Sequence, residues 1–255
     1  MKMSTKTRLG VVLWVGGMVG AASFLPVLPH LLAVLDGEKP PIPIYAIQAI
    51  SFVQTGVFIS LAVTLGVFLA QRVGLSAPVV EALVSGRRAS IALRPQILPG
   101  IAGGIVGGLA IVLFSAIMLP ILPPEFVAAG EKLTMPLSTR LLYGGITEEL
   151  LVRWGLMTLL VWLPYRVIRK GHGEVPVRYY WTAIVISAVA FGLGHLPIAS
   201  LLSPTVTTAL VVYIVVANAL FGLIAGYLYW KRGLESAILA HMLAHVVMVT
   251  AEIIS

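Results

Sequence analysis

Apolar runs of about 20 residues or more recur along the chain and restrict its fold more than any other feature of the sequence. A helix needs about 20 apolar residues to cross a bilayer, and it satisfies its own backbone hydrogen bonds there. We therefore predict an all-α, polytopic transmembrane helical bundle of about seven spans. The predicted spans cover approximately residues 9–35, 44–70, 101–122, 138–163, 180–199, 205–230 and 234–254.

The composition agrees with a membrane protein, since 59% of the residues are hydrophobic and only 11% are charged. Soluble domains carry about 25% charged residues. The net charge of +7 comes from Lys and Arg in short loops, where such residues orient spans and do not require a nucleic acid partner. A cytoplasmic N-terminus places most of the 17 Lys and Arg residues on the cytoplasmic side. We expect a multi-pass protein of the cell (inner) membrane in that orientation.

Local patterns in the N-terminal half predict further architecture. The first apolar run is too long for a typical signal peptide, and we interpret it as an uncleaved span that is kinked or ended at Pro26 and Pro29. Residues 75–96 mix charges with apolar side chains on one helical face, which predicts an amphipathic helix in the headgroup region. Glycine pairs at 103–104 and 107–108 predict close helix packing. The apolar face of the amphipathic helix comprises Val79, Val80, Leu83 and Val84.

The predicted span 138–163 contains three charged residues, which are Glu148, Glu149 and Arg153. Each charge costs at least about 2.5–3.5 kcal/mol to insert into a membrane, so each needs a partner or a function. Glu149 and Arg153 are four residues apart on one helical face, in the favourable order of acid before base. Glu148 is rotated by about 100° from Glu149. It has no local countercharge, which suits a general base that takes a proton from water.

Histidines lie in two other predicted spans. His195 is in the fifth span, while His241 and His245 share one helical face of the seventh. Ionisable residues at membrane depth are candidates for function. We therefore expect these three imidazoles and Glu148 to converge on one water-accessible cavity. Asn218, in the sixth span, is interpreted as a packing residue.

Residue counts exclude several protease classes. The chain has no cysteine, which excludes a thiol nucleophile and disulfide bonds. Asp36 is the single aspartate, which excludes a paired-aspartate intramembrane protease. The HExxH motif of many zinc proteases is also absent.

The order of the motifs resembles that of the CPBP family, which includes type II CAAX prenyl endopeptidases and bacteriocin-processing or immunity (Abi) proteins. The resemblance covers about residues 148–245 and does not extend to the first two spans. We interpret residues 1–255 as one membrane domain, with variable N-terminal spans and the interfacial helix in 1–98 and a CPBP-like catalytic core in 99–255. The motifs are Glu148-Glu149-x-x-x-Arg153, Phe191-x-x-x-His195, and His241 followed by a polar residue four positions later.

The resemblance implies an intramembrane endopeptidase of the glutamic type. Glu148 would activate water, and His195 would bind and orient that water. His241 and His245 would stabilise the oxyanion of the tetrahedral intermediate. Supporting roles are implied for Glu149, Arg153 and Phe191.

Three positions depart from the family pattern. His245 stands where Asn or Asp is usual, although a histidine can still donate a hydrogen bond through one nitrogen. Trp154 stands where a small residue is common, and Val152 replaces an aromatic residue. We expect the last two differences to change the shape of the substrate pocket.

The residues leave two alternatives open. His195, His241 and His245 could bind zinc together with a glutamate, as in a metalloprotease. A non-enzymatic transporter, proton relay or immunity scaffold could use the same polar cluster. The favoured hypothesis requires no cofactor, with zinc as the runner-up. Its partners would be membrane lipid and a peptide or protein substrate, lipidated or membrane-anchored, and no nucleic acid.

Overall fold

Helices form most of the structure. The computed structural model describes residues 3–34, 42–133 and 135–254, and no strand occurs within those ranges. Six helical stretches in them are long and apolar enough to cross a membrane. The prediction of an all-α, polytopic helical bundle is therefore confirmed. The six stretches are Thr5–Phe24, Ile44–Val73, Ala89–Ile121, Val177–Leu202, Thr208–Lys231 and Leu234–Ile254.

The α-helices are numbered in chain order. They are α1 (Thr5–Phe24), α2 (Val27–Val34), α3 (Ile44–Leu69), α4 (Pro78–Val84), α5 (Ala89–Met118), α6 (Pro124–Lys132), α7 (Leu137–Thr139), α8 (Thr158–Val167), α9 (Val177–Gly194), α10 (Leu196–Leu202), α11 (Thr208–Lys231) and α12 (Leu234–Ile254). Short 3₁₀ turns extend α3 at Ala70–Val73 and α5 at Leu119–Ile121.

The remaining predicted span, 138–163, corresponds to residues 137–167, here called the motif helix. It begins with α7 and ends with α8, and between them the backbone is π-helical over Arg140–Glu148 and Leu150–Met157. π-Helical turns are rare and occur frequently at functional sites. The motif helix therefore differs from the six apolar stretches in backbone geometry as well as in charge.

The first apolar run forms two helices instead of one continuous span. α1 ends at Phe24, a turn follows at Leu25 and Pro26, and α2 continues from Val27. The break agrees with the predicted effect of Pro26, because proline lacks the backbone N–H that an uninterrupted helix would use. The end of the predicted span, at residue 35, lies outside the described residues.

The predicted interfacial helix at residues 75–96 is shorter than expected. α4 covers only the first part of that range, and α5 begins at Ala89, well before the predicted start of the third span. Gly86 separates the two helices with a φ of 70°, a conformation that glycine adopts without steric cost. Pro95 and Pro99 both lie inside α5, which runs without interruption through the gap between the two predicted helices. Transmembrane helices tolerate such prolines because neighbouring groups satisfy the freed backbone carbonyls.

Close packing of α5 against α12 holds the helix that carries two of the histidines. A Cβ atom at Gly104 would lie 2.7 Å from the carbonyl oxygen of Ala240. A Cβ atom at Gly108 would lie 3.0 Å from the carbonyl oxygen of Ala244. The predicted packing role of the glycine stripe is therefore confirmed. Since Ala240 faces α5, the next residue, His241, is directed about 100° away from that contact.

The N-terminus of α12 is fixed by polar contacts. The Oε1 atom of Glu235 accepts hydrogen bonds from the backbone N–H groups of Val79 and Val80, both at 2.9 Å. Buried Gln96 of α5 accepts a hydrogen bond from the backbone N–H of Ser236 at 3.0 Å. These contacts set the depth and rotation of α12, and with them the positions of its histidines.

α1 packs on the motif helix directly beside the glutamate pair. The hydroxyl of Thr147 donates a hydrogen bond to the carbonyl oxygen of Gly17 at 2.8 Å. A Cβ atom at Gly20 would collide with the Thr147 hydroxyl and with the Leu142 carbonyl oxygen, so the two helices pack closely there. The first span therefore helps to position Glu148, although the family resemblance did not extend to it.

Candidate active site

A cavity of about 530 Å³ lies between the motif helix, α9, α11 and α12. Glu148, His195, His241 and His245 all line it, so these four side chains converge as expected. The volume is typical of a ligand-binding pocket. The other lining residues are Phe24, Leu31, Ile111, Met135, Arg140, Tyr143, Gly144, Phe191, Gly194, Ile198, Tyr213, Ile214, Ala217, Asn218, Phe221, Ala244 and Met248.

The carboxylate of Glu148 lies between two imidazoles. Its Oε1 atom is 3.9 Å from the Nε2 atom of His195, and its Oε2 atom is 3.8 Å from the Nε2 atom of His241. Both distances are too long for direct hydrogen bonds. They are compatible with a water molecule that contacts the carboxylate and an imidazole together.

The end of α9 orients His195. The helix stops at Gly194, and the Nδ1 atom of His195 lies 2.8 Å from the backbone carbonyl oxygen of Phe191. A carbonyl oxygen only accepts, so Nδ1 carries the proton and Nε2 presents a lone pair towards Glu148. The ring of Phe191 packs edge-on against the same imidazole, with centroids 4.7 Å apart. The two residues of the Phe191-x-x-x-His195 motif are therefore in contact with each other.

A buried carboxylate orients His241. The Nδ1 atom of His241 donates to the Oε1 atom of Glu149 at 2.8 Å. The same oxygen is 3.3 Å from the Nη1 atom of Arg153, and the side chains of both charged residues are fully buried. The predicted pairing of Glu149 with Arg153 is therefore present. The link to His241 was not predicted, because it joins residues 92 positions apart and no local spacing indicates it.

Arg153 has further contacts with neighbouring helices. Its Nη2 atom donates to the carbonyl oxygen of Gly222 in α11 at 3.2 Å. Its guanidinium carbon lies 5.2 Å from the ring centroid of Phe191, within range of a cation–π interaction. Arg153 therefore connects the motif helix to α9 and α11 as well as to Glu149.

Phe221 is a site residue that sequence reasoning missed. Its ring lies 4.4 Å from that of His241, and it lines the cavity. A phenylalanine inside an apolar span has no feature that separates it from packing residues, so only the fold identifies it. Asn218 also lines the cavity, where its amide donates to the carbonyl oxygen of Ile214 at 2.8 Å.

His245 lies parallel to His241. The two rings stack with centroids 4.9 Å apart and planes inclined by 14°. The Nδ1 atom of His245 is buried and makes no hydrogen bond with any described residue. Its Nε2 atom occupies the space next to Gly144, where a Cβ atom would collide with it. The glycine of the motif helix thus makes room for this imidazole at the cavity wall.

Trp154 does not shape the cavity, contrary to the expectation from the sequence. The side chain is 1% exposed and packs against α3, where its Nε1 atom donates to the carbonyl oxygen of Val63 at 3.4 Å. Gly66 of α3 provides the space for the indole. Val152 is likewise not among the residues that line the cavity. Both side chains leave the motif helix in directions that do not reach the cavity.

The described residues contain no group of three or more His, Asp or Glu side chains arranged to hold a metal ion. The His195 and His241 imidazoles approach Glu148 from different helices, at the distances given above. Zinc binding at this position therefore stays a hypothesis.

Comparison with known proteins identifies a family for part of the chain. Residues 131–247 match the family model described as type II CAAX prenyl endopeptidase Rce1-like. The match covers a little under half of the chain and includes all of the predicted site residues. No curated protein and no solved structure matches the chain. The segment 131–247 of this multi-pass membrane protein is thus similar to the Rce1-like type II CAAX prenyl endopeptidases, as the order of its motifs had indicated.

Proposed function

We propose that the protein is an intramembrane endopeptidase of the glutamic type, in which Glu148 activates a water molecule for attack on a peptide bond. One observation carries this proposal. The Glu148 carboxylate lies in a cavity, 3.9 Å and 3.8 Å from the Nε2 atoms of His195 and His241. A positioned base beside hydrogen-bonding groups is what hydrolysis of a peptide bond requires.

In the first step, Glu148 takes a proton from water while the water oxygen attacks the carbonyl carbon of the substrate. The Nε2 lone pair of His195 accepts a hydrogen bond from the other water proton and orients the nucleophile. This role follows from the hydrogen bond between His195 Nδ1 and the Phe191 carbonyl, which leaves Nε2 as an acceptor.

The second step needs a donor to the oxyanion of the tetrahedral intermediate. The Nδ1–H of His241 is held by Glu149, so its Nε2 donates only when the ring carries both protons. His245 stacks beside it and supplies an N–H from its own ring. Glu148 then transfers its proton to the leaving amine as the C–N bond breaks, which restores the carboxylate.

Glu149 and Arg153 act as positioning residues in this scheme. Both side chains are fully buried, and Glu149 fixes the ring of His241 by the hydrogen bond to Nδ1. Arg153 compensates the charge of Glu149, because an unpaired buried carboxylate would be strongly unfavourable. Phe191 packs against the guanidinium and the imidazole of His195.

The substrate is a peptide or protein segment that reaches a cavity inside the bundle. Most of the cavity wall is apolar, which suits a membrane-anchored or lipidated chain. The matched family is described as type II CAAX prenyl endopeptidase, and we extend a prenylated CAAX substrate to this chain as part of the proposal.

We also propose that the protein lies in the cell (inner) membrane with a cytoplasmic N-terminus. In this proposal, the motif helix is a seventh crossing beside the six apolar stretches. Seven crossings would put the two chain ends on opposite sides of the membrane. Reporter fusions at each end, read out by periplasmic and cytoplasmic activity, test the orientation. Two ends on the same side of the membrane would contradict it.

The decisive experiment compares wild-type protein with Glu148→Gln in liposomes. A farnesylated CAAX peptide with a fluorescent label reports cleavage. We expect the substitution to lower the cleavage rate by about 10²–10⁴-fold, the usual contribution of a general base. Glu131→Gln is the matched control, because Glu131 is exposed on α6, away from the cavity. Cleavage by Glu148→Gln at the wild-type rate would contradict the proposal and would support a non-enzymatic use of the cluster.

A zinc-dependent form of the reaction is the second candidate, and one observation favours it. His195 and His241 both use Nδ1 to contact an oxygen acceptor, which leaves each Nε2 directed at Glu148. Metal-ligating histidines are commonly oriented in this way. Metal analysis of purified protein and cleavage in the presence of a chelator separate the two mechanisms. Loss of activity in chelator that zinc restores would favour the metalloprotease, and unchanged activity would favour the glutamic mechanism.

A further inference from the structure

The active-site cavity contains one strong cation. Arg140 is the only Lys or Arg among the described residues that line it. Arg140 and Glu148 stand at the two ends of the nine-residue π-helical segment. At a rise of about 1.5 Å per residue, these positions are on the order of 10 Å apart along the helix axis. An extended peptide crosses that distance in about three or four residues, so a short peptide can reach from one group to the other.

Arg140 is held with its guanidinium pre-oriented. Its Nη1 and Nη2 atoms donate to the two carboxylate oxygens of Glu252, at 2.8 Å and 3.0 Å. Its Nε atom donates to the carbonyl oxygen of Met135 at 3.3 Å. This parallel two-bond geometry is the one in which a guanidinium binds any carboxylate. The structure therefore shows Arg140 occupied by a carboxylate from the chain itself.

The two members of this ion pair differ in exposure. The side chain of Arg140 is 16% exposed, whereas that of Glu252 is 55% exposed and lies in the last turn of α12. An exposed carboxylate regains much of its hydration when it leaves an ion pair. Another carboxylate can make the same two hydrogen bonds to Arg140 in place of Glu252, while Arg140 stays at the cavity wall.

We propose that Arg140 binds a carboxylate of the substrate and that Glu252 occupies Arg140 until the substrate displaces it. This inference rests on the proposed function and names a substrate class for it. The substrate is a peptide with a carboxylate within a few residues of the scissile bond. Either the C-terminal carboxylate or an acidic side chain has the required chemistry.

Binding to the Glu148→Gln protein in detergent tests the inference without requiring cleavage. The probes are fluorescent farnesylated CAAX peptides of one sequence, prepared as the free acid, as the C-terminal amide, and as an amide with Glu at the last position. We expect the free acid to bind about tenfold more tightly than the amide, a difference that corresponds to one charge-assisted contact. Recovery of affinity by the third peptide would show that a side-chain carboxylate also suffices.

Substitutions at the two ends of the ion pair should act in opposite directions. Adding Arg140→Gln should weaken binding of the free acid by about tenfold and leave binding of the amide unchanged, which also shows that the cavity is intact. Adding Glu252→Gln should tighten binding of the free acid by about two- to fivefold, because a competing carboxylate is removed. A merely structural ion pair would instead make both substitutions change binding in the same direction.

The inference is overturned if the free acid and the amide bind equally, or if Arg140→Gln preserves the preference for the acid. Neither result would affect the proposed function, because cleavage by the wild-type protein and its loss in Glu148→Gln are measured separately. Conversely, a protein that cleaves no peptide but still prefers the acid would overturn the proposed function and retain Arg140 as a carboxylate-binding residue.

Discussion

The Oε1 atom of Glu149 lies 2.8 Å from the Nδ1 atom of His241, and the two residues belong to different helices. This hydrogen bond turns the imidazole so that its other nitrogen, Nε2, lies 3.8 Å from the carboxylate of Glu148. Two adjacent glutamates therefore face opposite edges of one histidine, and only Glu149 is hydrogen-bonded to it. Glu149 lies deeper, fully buried beside Arg153, while Glu148 is 18% exposed and lines the cavity.

This arrangement predicts that Glu149→Gln reduces stability and activity together. The amide keeps the shape of the side chain but leaves the buried cation of Arg153 without a countercharge, which costs about 3–5 kcal/mol. Thermal unfolding in detergent measures the first effect, and the turnover rate of the folded fraction measures the second.

The double variant Glu149→Gln/Arg153→Met separates the two effects. Removing both charges should recover most of the stability, since no buried charge is left unpaired. It should not recover activity, because the orienting carboxylate for His241 is still absent. Full activity in this double variant would contradict the positioning role of Glu149.

Gly144→Ala should lower cleavage because the added methyl group collides with the Nε2 atom of His245. The imidazole would have to leave its position parallel to His241. Gly194→Ala is the matched control, since Gly194 also lines the cavity but a Cβ atom there meets nothing within 4 Å. We expect the first variant to lose at least about tenfold in kcat and the second to stay near wild type. Equal rates for the two variants would show that the position of His245 is unimportant.

Substitutions of His245 itself distinguish a hydrogen-bond donor from a packing residue. His245→Ala should lower kcat by about 10²–10³-fold if the imidazole donates to the oxyanion. His245→Asn keeps an N–H donor of similar reach and should retain most of the activity. If His245 only packs, both variants should instead be less stable than the wild type. The folded fractions of the two variants should then turn over substrate at similar rates.

Trp154→Ala should destabilise the protein without altering the chemistry of the folded fraction. The indole is 1% exposed and fills the space above Gly66 of α3, away from the cavity. Loss of a large buried aromatic side chain costs about 3–5 kcal/mol, which a fall in the midpoint of thermal unfolding would report. Trp154→Phe retains part of the packing and should have an intermediate midpoint. A change of KM at unchanged stability would indicate that Trp154 reaches the substrate after all.

Structural features that depend on residues close together in the sequence were predicted correctly. The apolar runs correspond to helices, the glycine stripe lies at a helix contact, and Glu149 pairs with Arg153 four residues later. Each of these depends on residues close in sequence or on the thickness of a bilayer. The errors at α4 and at the start of α5 arose where prolines and a glycine permit more than one backbone path.

Contacts between distant segments could not be predicted in the same way. The hydrogen bond from Thr147 to Gly17, the ring of Phe221 against His241 and the direction of Trp154 depend on which helices are neighbours. Periodicity specifies which residues share a face of one helix, but it does not specify the partner of that face.

The amino-acid order alone establishes a helical membrane protein, because backbone groups without hydrogen-bond partners are unfavourable in lipid. It also identifies the few charged and polar side chains at membrane depth, because such side chains are costly to insert there and are therefore rare. Only the packed arrangement of the helices shows that Glu149 pairs with His241, that Glu148 lines the cavity and that Arg140 pairs with Glu252. Charges and hydrogen bonds act over a few ångströms, and the folded arrangement of the chain decides which of them come that close.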